Sequence, residues 1–354
     1  MSSTAVASNV KDAAGVPEIS ARLADLWRRG ADFLGCPVAI LGGAMTWVSE
    51  RNLVAAISNA GGFGVIACGS MTPDLLDAEI KATQALTKRP FGVNLITMHP
   101  KLLDLVDVCQ ANKVSHVVLA GGIPPGEAIK RVKGYGAKLI CFAPAAVLAK
   151  RFVKQGADAI VIEGHEAGGH VGPVSTAVLA QEILPEVRDV PVFVAGGIGR
   201  GEAIVSFLEM GAAGVQMGTL FVCSSESIAH PNFKRAFIRA NARDAITTVQ
   251  LDKRFPVIPV RALANEGTDE FLAKQREVIE RFNKGELKQD AAQLEIEHFW
   301  AGALRRAVID GDVERGSLMA GQSVGMVKAE QPVATIIAEL VAQAEAALAS
   351  RRSA

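Results

Sequence analysis

The sequence predicts an α/β protein: a (β/α)8 TIM barrel with a smaller inserted α+β domain near its C-terminus. Three observations point there. Eight short apolar runs recur from residue 37 onward, each followed by a glycine-rich or polar junction and a stretch with helical periodicity. The runs are continuously apolar rather than alternating, as strands covered on both faces are. The stretches between them end on glycine, three times as Gly-Ala (Gly136-Ala137, Gly156-Ala157, Gly211-Ala212), a weak self-similarity that suits repeated β/α units better than an open sheet.

In chain order, residues 1–35 hold an N-terminal arm and a helix, with about the first 17 residues small and polar enough for an unstructured arm. Residues 36–229 form the barrel, its strands expected at 37–41, 62–68, 91–96, 116–120, 138–143, 159–164, 191–197 and 214–219. Thr72-Pro73 reads as a helix N-cap followed by proline at the first helical position, and Gly61, Gly136, Gly156 and Gly211 stand where helices should stop. After Thr219 the alternation breaks. Residues 230–310 contain a charged helical stretch, an extended piece near 247–260 and a second helical stretch near 271–284, read as the inserted domain. Residues 311–354 return to the barrel mouth through a second glycine-rich passage, 311–327, and end in an amphipathic helix at about 333–348.

Composition excludes several classes. Lys plus Arg and Asp plus Glu number 37 each, so there is no basic stripe of the kind that binds nucleic acid. The five cysteines (Cys36, Cys68, Cys109, Cys141, Cys223) include no C-x-x-C pair and read as reduced packing residues. The N-terminus lacks the basic and apolar regions of a secretory leader, and no apolar run approaches the roughly 18 residues of a membrane span. A cytoplasmic location away from membranes, with a small-molecule substrate, is expected; a homodimer is left open.

Chemistry concentrates at the expected strand ends, where barrels of this class place their sites. After the seventh run, Gly196-Gly197-Ile198-Gly199 opens onto a helix at about Arg200, so backbone N–H groups and the helix dipole can face an anion. After the eighth, Gln216-Met217-Gly218-Thr219 adds a second close approach and a hydroxyl donor. The plain reading of both is a tight turn; their position favours a phosphate. Glu163-Gly164-His165-Glu166-Ala167-Gly168-Gly169-His170 follows the sixth run, its glycines admitting the backbone to a flat ligand. His170, beyond the Gly-Gly pair, can lie over the mouth and move a proton near neutral pH. His165, Glu166 and His170 share one glycine-rich loop without the spacing usual for a metal site, and no metal is expected. Asn94 ends the third run and offers an amide at the ligand's level. Gly43, Ala44 and Met45 end the first, where small residues let main chain approach a ring edge. Gly62-Phe63-Gly64-Val65-Ile66-Ala67 matches G-x-G-x-x-A but opens a strand after a helix, the reverse of the dinucleotide-binding order.

Taken in order, Gly-Ala-Met, Phe-Gly-Val-Asn, Glu-Ala-Gly-Gly-His-Val-Gly, Ala-Gly-Gly-Ile and Gln-Met-Gly-Thr resemble the nitronate monooxygenase (2-nitropropane dioxygenase) family and its relative, the FMN-dependent enoyl-acyl-carrier-protein reductase II. The resemblance runs from about residue 36 to 345. It implies non-covalent FMN, with the phosphate on Gly196, Gly197, Gly218 and Thr219, the ring beside Gly43, Ala44, Met45, Asn94, Glu163, Gln216 and the Ala167–Gly169 turn, and His170 over its reactive face. Two departures stand out: Gly43 precedes Ala44-Met45 where the family usually has Ala-Pro-Met, and Glu163 takes a place often held by Gln. The passage 316–322 looks like the reductase branch.

The resemblance implies an FMN-dependent oxidoreductase, first of all a nitronate monooxygenase in which His170 takes the α-proton of a nitroalkane or orients a nitronate, with O2 as oxidant. The alternative is reduction of an enoyl thioester with NAD(P)H, where His170 protonates or stabilises the enolate and an acyl carrier protein becomes a partner. A flavin-binding protein without catalysis is the third reading. A dehydrogenase of the inosine-monophosphate type would need a cysteine after the sixth run, and none lies between Cys141 and Cys223.

Overall fold

The computed structural model describes residues 15–351, so the expected N-terminal arm falls almost wholly outside the described residues, as do the last three. The strands are β1 (Ile40–Gly42), β2 (Gly64–Ala67), β3 (Phe91–Ile96), β4 (His116–Ala120), β5 (Lys138–Phe142), β6 (Ala159–Glu163), β7 (Gly169–His170), β8 (Val192–Ala195), β9 (Gly214–Met217), β10 (Ala245–Thr247) and β11 (Val260–Leu263). Eight of them form one parallel sheet in the order β1-β9-β8-β6-β5-β4-β3-β2, and a parallel bridge between Leu41 and Phe63 joins its two edges into a barrel. Every expected strand is present. Several are shorter than their apolar runs because the glycine-rich ends leave the ladder to form the mouth.

The two-residue period of a strand sorts its side chains between two cores. Val65, Val118, Ile140, Ala159, Val161, Phe193 and Ala195 fill the barrel, while Val117, Leu119, Ile160, Ile162, Val192 and Val194 face the surrounding helices. Phe63 and Phe193 are fully buried, each contributing about 1.5–3 kcal/mol by leaving water.

Helix Arg28–Leu34 closes the N-terminal end of the barrel. Its Leu34 joins the interior cluster, and Phe33 meets the buried His116 ring edge-on at 5.3 Å. The helix lies against the barrel on Gly30, where a Cβ would stand 2.1 Å from the Ala213 carbonyl oxygen. Thr72 caps helix Pro73–Leu86 as expected, accepting from the Leu75 N–H. Gly61, Gly136, Gly156 and Gly211 all take the positive φ angles that end a helix without strain. The five cysteines are free and buried.

Beyond the barrel, Phe255, Phe271, Val278, Ala292 and Ile296 build a small separate core between helices Glu266–Asn283 and Gln289–His298. Helix Pro231–Arg239 lies on the far side of the expected boundary at residue 230, yet it buries Phe233 and Phe237 in the main core. The extended piece expected near 247–260 is instead the connection between two antiparallel strands, β10 and β11, that flank it, and β11 pairs in turn with β7, the extension of the sixth barrel strand's loop. The last helix, Val333–Ser350, is long and apolar enough by composition to cross a membrane. It lies against helix Gly201–Glu209 and buries Ile337, Leu340, Val341 and Ala344.

Gly30→Ala tests the closure. Alanine in a helix normally gains up to about 1 kcal/mol over glycine; here the clash with Ala213 reverses the sign. A loss of about 1–3 kcal/mol is expected in urea unfolding.

Candidate active site

At the C-terminal ends of the barrel strands lies a cavity of about 700 Å³. All of the residues singled out from the sequence line it: Gly43, Ala44 and Met45 after β1, Asn94 on β3, Glu163 on β6, Ala167, Gly168, Gly169 and His170 beyond β6, Gly196 and Gly197 after β8, and Gln216, Gly218 and Thr219 at the end of β9. Strand periodicity explains three of them. Glu163 continues the inward series Ala159, Val161; Gln216 lies between the outward Val215 and Met217; Asn94 lies between the outward Val93 and Leu95. These polar side chains form the floor of the cavity, and none of the three makes a hydrogen bond among the described residues.

The anion cradle has the form the sequence suggests. Gly196 and Gly197 have φ of +100° and +71°, which side chains rarely tolerate, and a Cβ on Gly197 would meet Glu166 at 2.9 Å. Among the described residues, the N–H groups of Gly197, Ile198 and Gly218 donate to no acceptor. All three line the cavity, beside the short helix Thr219–Val222 that opens after β9. The Thr219 hydroxyl accepts from the Gly321 N–H at 3.0 Å, leaving its own hydrogen free to donate inward. A terminal phosphate fits such a set of donors, and the three unpartnered polar side chains on the floor fit a flat heteroaromatic ring.

The histidine loop is held from three directions. Thr176 donates through its N–H and hydroxyl to the Glu166 carboxylate, at 2.8 and 2.9 Å. The His165 ring is bonded to the Gly172 carbonyl at 2.8 Å, so both residues shape the loop. Among the described residues no group of three or more His, Cys, Asp and Glu stands together for a metal ion. The second hold is β11: Val260 pairs with His170, Arg261 with Gly169, and the Val171 N–H donates to Pro259. Arg261 is itself buried, with its guanidinium on the carbonyls of His165 and Ala245. The third is the C-terminal passage, where the Gln322 N–H donates to the Glu166 carbonyl at 2.9 Å. His170 stands at the exposed rim, and the burial its ring undergoes there moves its pKa below the ordinary imidazole value. It is therefore neutral at pH 7, able to accept or donate a proton.

Sequence reasoning missed Arg261, whose role depends on a pairing across some ninety residues of chain. It also missed most of the outer wall: Val48, Met98, Phe233, Ile258 and Leu304. Trp47, beside that wall, has φ of +69°, and the Arg305 guanidinium lies over its ring at 5.8 Å. The Gly43–Met45 loop is shaped by buried Ser49, which donates to the Gly43 carbonyl and accepts from the Met45 N–H.

With this geometry in place, comparison with known proteins assigns the family. The family model for nitronate monooxygenase matches residues 31–112 and 104–343. The chain belongs to the nitronate monooxygenase family. It is an oxidoreductase. A relative from Mycobacterium tuberculosis, (3aS,4S,5R,7aS)-5-hydroxy-7a-methyl-1-oxo-octahydro-1H-indene-4-carboxyl-CoA dehydrogenase, is 31% identical over 83% of this chain and 89% of its own. The protein of the same name from Rhodococcus jostii is 35% identical over 62% of each chain. Among solved structures, FabK from Thermotoga maritima superposes with a TM-score of 0.82 at 36% identity, covering 92% of this chain and 98% of its own. Nitroalkane oxidase from Streptomyces ansochromogenes gives 0.73 at 28% identity, covering 91% and 99%.

Arg261→Gln is expected to leave buried carbonyls without donors, at about 1–3 kcal/mol. Faster amide exchange confined to peptides covering residues 163–172 and 245–263 checks it; unchanged exchange there would show that Arg261 does not hold the loop.

Proposed function

We propose that the protein is an FMN-dependent oxidoreductase of acyl thioesters, reducing an α,β-unsaturated thioester with electrons from NAD(P)H. The observation that carries this reading is the place of residues 316–322, the passage that resembles the reductase branch. Met319 and Gly321 form part of the cavity wall, and the backbone there is bonded to Thr219 on one side and to the histidine loop on the other. Two further observations support it. The outer cavity is lined by Val48, Met98, Ile258, Leu304 and Met319, an apolar surface suited to an acyl chain. The relatives from Mycobacterium tuberculosis and Rhodococcus jostii are named for a carboxyl-CoA substrate, which is a thioester.

FMN, when bound, supplies the hydride or single-electron transfer that no side chain can. Gly196, Gly197, Gly218 and Thr219 would hold its phosphate, and Gly43, Ala44, Met45, Asn94, Glu163, Gln216 and the Ala167–Gly169 turn would line its ring. The rest falls to the chain's own groups. The apolar wall excludes water from the reacting carbons. His170, neutral and held on β7, presents an imidazole N–H to the enolate that forms when the β-carbon is reduced, and gives the proton that the α-carbon requires.

Oxidation of alkyl nitronates with O2 is the second reading, favoured by the likeness to nitroalkane oxidase over 91% of the chain. The same neutral His170 would take the α-proton of the nitroalkane. Paired assays separate the two: NADH oxidation with crotonyl-CoA against oxygen uptake with propionate 3-nitronate. NADH consumption that requires the thioester is expected; oxygen uptake with the nitronate alone would reverse the order.

Two substitutions test the assignments of role. His170→Ala is expected to keep bound FMN and to lose about 100-fold or more in turnover, the scale of general acid–base catalysis. Gly197→Ala should weaken FMN by at least about tenfold, read from flavin fluorescence, because the side chain meets Glu166 and strains a left-handed backbone.

A further inference from the structure

Glu163 ends β6 on the inner face of the barrel, directly above Val161 and Ala159 in an apolar interior. Its carboxyl lines the cavity and is not hydrogen-bonded to any described residue. Among the described residues no cation is placed to neutralise it. Lys138, on neighbouring β5, sits at the opposite end of the barrel with its ammonium on the Phe33 carbonyl. On the other side, β8 contributes Ala195 and no charge. Arg261 is engaged with the carbonyls of His165 and Ala245, and Glu166 is held by Thr176. Of the two loop histidines, His165 is tied to the Gly172 carbonyl and His170 stands at the rim. Glu163 is half-buried beside the cavity, and a carboxylate here, once a flat ring covers it, would be buried and alone, an expensive state.

We propose that Glu163 is a proton-linked anchor for the flavin: it enters the complex as the neutral acid and donates its O–H to an acceptor on the bound ring, so that flavin affinity is switched off by rising pH. This rests on the reading that FMN occupies the cavity. It goes further by assigning a protonation state and a pH response to a residue that, as glutamine, would have neither. Burial supports it, pushing the Glu163 carboxyl up to about 7.

The sign follows from which form binds. Below about pH 7 the acid is already protonated, and affinity does not depend on this group. Above it, each FMN bound must draw one proton from solution, and affinity falls by up to about tenfold per pH unit. The other titrating groups do not mimic this between pH 7 and 9. His170 is neutral throughout, its pKa lying below the ordinary value. The phosphate of FMN has its second ionisation near pH 6 and is a dianion over the window.

The test uses the full chain stripped of flavin and titrated with FMN from pH 6.5 to 9, with flavin fluorescence for affinity and calorimetry in buffers of different ionisation enthalpy for proton uptake. In the wild type, the dissociation constant should rise about tenfold per unit above pH 7, with close to one proton taken up per FMN near pH 8. Glu163→Gln, whose amide donates at every pH, should match the wild type at pH 6.5 within about threefold, show a flat profile and take up no proton. An equal slope in Glu163→Gln, or a wild-type profile that is flat with no proton uptake, overturns the proposal. The proton count on the wild type alone decides the matter if the variant does not fold. Failure of the wild type to bind FMN at every pH instead overturns the cofactor reading on which the proposal stands.

Discussion

Gly168 lies so close to the returning chain that a Cβ there would stand 2.6 Å from backbone atoms of both Ala320 and Gly321. Much else depends on this contact. It brings residues 150 positions apart into backbone register, so that the Gln322 N–H reaches the Glu166 carbonyl and the Gly321 N–H reaches the Thr219 hydroxyl. Two strand-end loops and a C-terminal passage thereby become one surface. A side chain at Gly168 would push the passage off the loop, separating the cavity's outer wall from its floor.

The cavity floor shows how a fold can select what fills it. Barrel interiors are normally closed by layers of apolar side chains, and the lower layers here follow that rule with Phe63, Val65, Val118, Ile140, Val161 and Phe193. The uppermost inward positions instead carry Asn94, Glu163 and Gln216, polar side chains without partners among the described residues. Each unpartnered polar group withdrawn from water costs about 1–3 kcal/mol. Facing the cavity, these three side chains stay within reach of water, and a guest that covers them must offer complementary acceptors and donors or incur that cost, so they select what binds. The free N–H groups of Gly197, Ile198 and Gly218 follow the same logic toward an anion.

Much of this was legible in the sequence because the barrel repeats a local rule. Apolar runs, helix caps such as Thr72, and stop glycines such as Gly136 and Gly156 report on their own neighbourhoods, and strand periodicity then carries Glu163 and Gln216 to the inner face. The glycine clusters that line the cavity stood out for a related reason: several glycines in a row seldom serve packing alone. Arg261, Ile258 and Leu304 gave no such signal. Each is an ordinary residue in an ordinary stretch: Arg261 and Ile258 are placed by a pairing between β11 and β7 that closes more than eighty residues of chain, and Leu304 by packing of the helix Ala303–Arg305 on the main core. The boundary of the smaller lobe was hard to place for the same reason, since Phe233 and Phe237 look alike in sequence whichever core receives them.

That pairing also explains how a histidine on a glycine-rich loop can be held in one place. Glycines at 168 and 169 admit the returning chain at Ala320 and Gly321 and a positive φ, but they also free the backbone that carries His170. Two residues of strand, β7, would not hold against that freedom by themselves. Their rigidity comes from β11, which pairs with β10 on its other edge and is fixed by the Arg261 guanidinium to carbonyls on both sides. The chain from β11 runs into helix Glu266–Asn283, anchored by Phe271 and Val278 in the small core. The position of His170 is thus set by two cores at once, the barrel through β6 and the smaller lobe through β11. The lobe that looks like an appendage in sequence is the support against which the His170 imidazole is aligned.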